Sequence, residues 1–253
     1  MAIDKRKGLV RKITGEDGAE MVLVPAGEFW MGSPDGEGGA DEYPRHKVWL
    51  DAFCMDAHTV TVAQYRKYCG ETGKAMPDVP PWGWQDDHPI GKVTWKEMNA
   101  YAQYYGKRLP TEAEWEYACR AGSETKYCYG DDEERLGEYA WYGENPDTGS
   151  THPVGRKKPN AWGLYDMHGN VWERCNDWYR EEYYQNSPYR NPRGPKRGQY
   201  RGPIGENDKL RVLRGGSWSR PADDCRSSCR GGNEPSFGSS RNGFRCVRSA
   251  GSN

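Results

Sequence analysis

Arg108-Leu109-Pro110-Thr111-Glu112-Ala113-Glu114-Trp115-Glu116-Tyr117-Ala118 carries the start of a helix in its own chemistry. The Thr111 hydroxyl can accept from the third helical amide while the Glu114 carboxylate reaches back to the Thr111 amide, the reciprocal pattern of a capping box. The same spacing recurs upstream at Thr94 with Glu97 and at Thr61 with Gln64, so three helices are expected in quick succession. In the middle one, Met98, Tyr101, Ala102 and Tyr105 fall at i, i+3, i+4 and i+7 and Gly106 follows as a stop, which predicts one buried face.

Outward from these helices the signals change period. Met21 to Pro25 and Phe29 to Gly32 read as two short strands about Ala26-Gly27-Glu28, and His46 to Phe53 reads as a third. Past the helices, from Cys128 to about Leu210, periodicity gives way to Gly, Pro, Asn and aromatic residues, with Gly169 to Trp178 as the exception. Arg211 to Leu213 and Phe244 to Arg248 look like closing strands around Ser219 to Asn242, a stretch with few apolar residues. No internal repeat is visible.

Composition bounds the rest. A chain of 253 residues is read as one domain. With 36 Lys plus Arg against 37 Asp plus Glu, it offers no global field for nucleic acid or an anionic membrane, so any binding is local. Only 35% of residues are hydrophobic, yet 11 Trp and 17 Tyr make a core of large rings. The first residues lack the apolar run of a signal peptide, and no stretch is long enough to span a bilayer, so neither is expected in the chain as given; the compartment stays open. Cysteines at 54, 69, 119, 128, 175, 225, 229 and 246 lack paired CxxC spacing, which leaves disulfides possible and a zinc site unsupported.

Five segments, in this order, are more specific than any of these signals: Val24-Pro25-Ala26-Gly27-Glu28-Phe29-Trp30-Met31-Gly32-Ser33, the Arg108 to Ala118 run, Gly163-Leu164-Tyr165-Asp166-Met167-His168-Gly169-Asn170-Val171-Trp172-Glu173, Arg214-Gly215-Gly216-Ser217-Trp218 and Gly243-Phe244-Arg245. Together they resemble the formylglycine-generating enzyme (sulfatase-modifying factor) family from about Met21 to Arg248. The resemblance implies an α+β, C-type-lectin-like fold with little regular secondary structure over residues 21–250, after an N-terminal extension of residues 1–20.

It also implies a structural calcium held by Asp166, Gly169, Val171 and Glu173, two carboxylates and two carbonyls of the hard-oxygen type that Ca²⁺ prefers. The family's second calcium site is not matched, because Trp141-Tyr142-Gly143 stands after Tyr139 and the spacing to Asp147 is short. The family's oxidases bind copper(I) with two cysteines shortly after the Gly-Gly-Ser turn. Here Arg220 stands at the first of those positions and Cys225 at the second, with Cys229 as the alternative partner. Some members carry a disulfide where Cys119 and Cys246 stand, and Cys128 with Cys229 would be a second. The histidines at 46, 58, 88, 152 and 168 do not supply the iron triad of the related sulfoxide synthases.

Two functional readings follow. In the first, the chain is a non-catalytic module that binds a protein or other macromolecule through Trp218, Ser219, Arg220, Asp223, Asp224, Arg226, Phe237, Ser239, Ser240, Arg241 and Asn242, walled by Trp172, Trp178 and Trp218. The variable proteins of diversity-generating retroelements share this fold and diversify this same segment, whose Ser, Asp, Gly, Arg and Cys content is compatible with altered Asn codons. In the second, Cys225 and Cys229 serve a copper-dependent oxidase that converts a peptide cysteine to formylglycine. Arg220 weighs against it, because a guanidinium is no copper ligand. A basic, aromatic run, Arg190, Arg193, Lys196, Arg197 and Arg201 with Tyr189 and Tyr200, is read as a solvated loop rather than a nucleic-acid surface.

Overall fold

In the computed structural model, which describes residues 12–145, 149–199 and 209–251, all three capping boxes close. Thr61, Thr94 and Thr111 accept the amides of Gln64, Glu97 and Glu114 at 3.3, 3.3 and 3.2 Å. They start α1 (Val62–Thr72), α2 (Trp95–Tyr104) and α3 (Glu112–Arg120). Helix α2 buries Met98, Tyr101 and Ala102, the face its periodicity predicted. Helix α3 is buried on every side, charges included, because it runs through the centre of the fold.

The strands partition differently from their sequence neighbours. β1 (Lys12–Thr14), β2 (Glu20–Val24), β5 (Phe53–Asp56) and β10 (Val247–Ser249) form one sheet in the order β1-β2-β5-β10. Among the described residues, β3 (Gly27–Met31) pairs only with β4 (His46–Leu50). Thus the two strands about Gly27 do not pair with each other, and the expected third strand divides at Asp51-Ala52 so that its halves serve different sheets. The third sheet, in the order β8-β7-β6-β9, joins β6 (Trp172–Trp178), β7 (Arg211–Arg214), β8 (Arg230–Asn233) and β9 (Asn242–Gly243). Among the described residues, sheet structure therefore begins at Lys12, within the stretch read as an extension. No described helix is long and apolar enough to cross a membrane.

Two apolar clusters make the core, one between the sheets and α3 around Trp115, the other where Tyr65, Tyr68 and Tyr101 of α1 and α2 meet Phe244. Buried ion pairs tie these layers together. Glu116 holds Arg120 and Arg214, Glu112 holds Arg214 and Arg230, Glu173 holds Arg245, and Lys107 bridges Asp17 and Asp56. Each carboxylate and guanidinium is desolvated, so the pairing and the additional hydrogen bonds are what make burial tolerable.

The candidate binding face

The turn after β7 sets the site. Gly215 and Gly216 have φ of 92° and 71°, values that an L side chain rarely adopts. A Cβ on Gly215 would stand 2.9 Å from the Trp115 ring, and one on Gly216 would stand 2.5 Å from the Cys225 sulfur. The turn then runs outward: the Trp218 amide donates to the Asn170 carbonyl at 2.9 Å, and the Arg220 carbonyl accepts from Gly143 at 2.7 Å. Trp218 emerges partly exposed and edge-on to Trp82, ring centroids 5.6 Å apart, with the Arg241 guanidinium 5.7 Å from its centre. Arg220 is solvent-facing beside Asp224 at 3.6 Å.

A second lip is clamped from below. The buried Arg174 fork donates to the carbonyls of Asn233, Glu234 and Phe237, each at 2.9 Å. Burial lowers its pKa to about 10, and the neighbouring Arg211 contributes in the same direction. Pro235 and Ser239 accept the amides of Trp95 and Lys92, both at 2.8 Å, which fixes the loop against α2. Phe237 is left half exposed, Ser239 and Ser240 partly so, and Arg241 fully. Two exposed lips, Ser219 to Asp224 and Gly231 to Arg241, thus flank Trp218, Ala222 alone among them being buried.

Between the lips the segment turns inward, which corrects the expectation that Ser219 to Asn242 is all surface. Cys225 to Arg230 and Asn242 are buried. Arg226 binds Glu42 at 2.8 and 2.9 Å and donates to the Ser228 hydroxyl, so it is a core cation rather than a ligand-binding one. Asn242 lies in β9. Asp223, though exposed, accepts from the buried Arg226 at 2.6 Å and is committed to it. Among the expected walls, Trp172 is buried with Leu213 and Cys229, and Trp178 stacks on Arg211 opposite Trp95. Trp82 takes their place; in the sequence only its position in Pro80-Pro81-Trp82-Gly83-Trp84 marks it.

The Glu42 carboxylate is desolvated, yet Arg226, the Gly39 amide and the Ser33 hydroxyl bring its pKa from 4.5 down to about 2. A depressed carboxylate contributes its stability fully above the unfolded-state value and loses it as pH falls toward the folded one. The pair should therefore lose roughly 3 kcal/mol between pH 4.5 and 2. Acid unfolding of Glu42→Gln should be correspondingly flatter than that of the parent; parallel profiles would refute this.

Cys119, Cys128, Cys229 and Cys246 are free thiols, so neither disulfide implied by the resemblance forms. Cys119 lies in the Trp115 core beside the Met167 carbonyl and the His168 ring, whereas Cys246 lies in the Tyr101 cluster with its amide on Asp56. Cys225 is wholly buried, and burial raises its thiol well above the ordinary range; Cys229, also buried, is pushed up to about 12. His168 accepts the Cys128 amide at Nε2, 3.1 Å, so its Nδ1 proton goes to the Cys225 carbonyl at 2.8 Å. That hydrogen bonding assigns a neutral, structural imidazole.

At the expected calcium turn, Asp166 and Asn170 have φ of 57° and 65°. Asp166 accepts the Gly155 amide at one oxygen, 2.7 Å, while its other oxygen, Oδ1, is buried without a partner. Burial raises its pKa, and Glu173 is close enough to add to that. Glu173 is already forked by Arg245 at 2.7 Å and accepts from Trp115 at 2.9 Å. Charge repulsion between the two carboxylates is thus relieved on the Glu173 side, and the donor set fits a cation through the Asp166 oxygen, with a remaining Glu173 lone pair. Asp147 lies outside the described residues, as do Tyr200 and Arg201 of the basic run, in which Arg190 is paired with Asp51.

Residues 6–250 match the model of the sulfatase-modifying factor enzyme 1-like domain. The chain is 37% identical to a serine/threonine-protein kinase pkn1 of Chlamydia pneumoniae over 90% of its own length but spans only 38% of that relative. It is 35% identical to the formylglycine-generating enzyme of Streptomyces coelicolor, covering 90% of the chain and 89% of the enzyme. Among solved structures, PvdO from Pseudomonas aeruginosa superposes with a TM-score of 0.81 at 30% identity, covering 94% of this chain and 98% of that one. Treponema denticola variable protein 1 does so at 0.76 and 26%, covering 95% and 99%.

Proposed function

The chain belongs to the sulfatase-modifying factor enzyme 1-like domain family, and within it we propose a non-catalytic binding protein that engages a protein or other macromolecule through the two lips around Trp218. One observation carries this reading: the two positions that would hold copper present a solvent-facing guanidinium, Arg220, and a sealed thiol, Cys225. A soft metal is best held by paired thiolates; burial pushes the Cys225 thiol well above its ordinary range, and no second thiol stands at residue 220. The exposed surface instead offers aromatic faces and cations, Trp82, Trp218, Phe237, Arg220 and Arg241, with the Phe237 loop anchored by Arg174. Aromatic and Arg side chains are the types that dominate interface hot spots. The likeness to a protein named a variable protein supports variation of these lips on a constant frame.

The rival reading, oxidation of a peptide cysteine, is favoured by the 35% identity to a formylglycine-generating enzyme. Incubating the protein with a cysteine-containing sulfatase peptide, copper(I) and oxygen separates the two. The expected mass spectrum shows no aldehyde; aldehyde formation that disappears in Cys225→Ser would establish the oxidase.

Calcium at Asp166, Gly169, Val171 and Glu173 belongs to the same proposal as a structural ion beneath the Trp218 turn. A ligand present at about 100 times its dissociation constant stabilises by about 2.7 kcal/mol. Melting with calcium should therefore exceed melting with chelator by roughly 5–10 °C for a domain of this size. An unchanged midpoint would count against the ion, and an equal shift in Asp166→Asn would place it elsewhere.

A further inference from the structure

We propose that a cavity remote in sequence from the Trp218 lips is a second binding site, for a small organic carboxylate held by Arg193. The cavity, of about 230 Å³, opens where the β4–β5 turn, the approach to α3, Asn176 of β6 and the Asn191–Arg193 turn converge. Its volume equals that of roughly seven or eight waters, enough for a compact ligand with one ring or short chain.

Four charged side chains line it, and all but Arg193 are already paired. Arg108 forks Glu114 at 2.6 Å through both nitrogens, and Asp51 is taken by Arg190 at 2.7 Å and by the Asn191 amide at 2.8 Å. Arg193 is exposed and makes no ion pair or hydrogen bond with any described residue, which leaves one positive charge at the rim. A guanidinium recognises a carboxylate bidentately, whereas a neutral amide of the same shape offers only one acceptor. Ala52, partly exposed, supplies apolar surface for the ligand's body.

The rim is also held in place. Asn191 has a φ of 46°, an uncommon conformation for a residue with a side chain. It is held there by reciprocal bonds with Asp51, the Asp51 amide donating to its Oδ1 at 2.9 Å and its own Nδ2 donating back. Pro192 then restricts the next φ, so Arg193 leaves a stiff turn rather than a loose loop. Non-glycine residues in this conformation concentrate at functional sites.

The test is titration of the full ¹⁵N-labelled chain with benzoate and, separately, benzamide at constant ionic strength, following arginine Nε–H resonances. The Arg193 resonance, identified by its loss in Arg193→Gln, should shift saturably with benzoate, with a dissociation constant of about 1–10 mM for so small a ligand. Benzamide should bind at least about tenfold more weakly, and Arg193→Gln should lose benzoate binding to the same extent while melting as the parent does, since its side chain is exposed. A shift that never saturates, an equal response to benzamide, or undiminished binding by Arg193→Gln would overturn the proposal.

Discussion

Replacement of Arg214 by methionine is expected to destabilise the fold by about 3–5 kcal/mol, the range for removing one partner of a buried ion pair. Arg214 is fully buried, and its fork bonds Glu112, Glu116 and the carbonyls of Ser227 and Ser228. Methionine restores much of the volume but none of these donors. Glu116 keeps Arg120 and Glu112 keeps Arg230, so each buried carboxylate is left with one cationic partner in place of two. Arg214→Lys should recover only part of the loss, because an ammonium keeps the charge without the fork. Denaturant midpoints measure both. A cost below about 1 kcal/mol for methionine would mean that the network sets geometry but not stability.

Trp115→Ala should cost about 3–5 kcal/mol, the range for truncating a large core ring, whereas Trp218→Ala should cost about 1 kcal/mol or less. Trp115 is completely buried, packs under Gly215 and donates to Glu173 at 2.9 Å. Trp218, by contrast, is partly exposed and edge-on to Trp82. Joint substitution of Ser219, Arg220, Asp224, Ser239 and Arg241 by other polar residues should likewise leave the midpoint nearly unchanged. Asp223 is omitted because it holds the buried Arg226. If the fivefold variant or Trp218→Ala unfolds as readily as Trp115→Ala, the lips are part of the core and the binding surface is not there.

The sequence by itself determined the three helices, because a capping box is closed by residues three apart and needs no tertiary partner. Its ordered motifs determined the family, and the bare identity of residue 220 removed one copper ligand. Tertiary structure decided what depends on distant partners. Arg226 looks like a surface residue among serines and aspartates until Glu42, far back in the chain, neutralises it, and Arg230 likewise meets Glu112 and Arg245 meets Glu173. Such long-range pairs leave no periodic trace, so a polar segment reads as exposed whether its charges face water or one another. For the same reason only the fold could divide His46 to Phe53 between two sheets, place Cys119 and Cys246 in different clusters, bring Trp82 to Trp218 and leave Arg193 without an ion pair among the described residues at the mouth of a cavity.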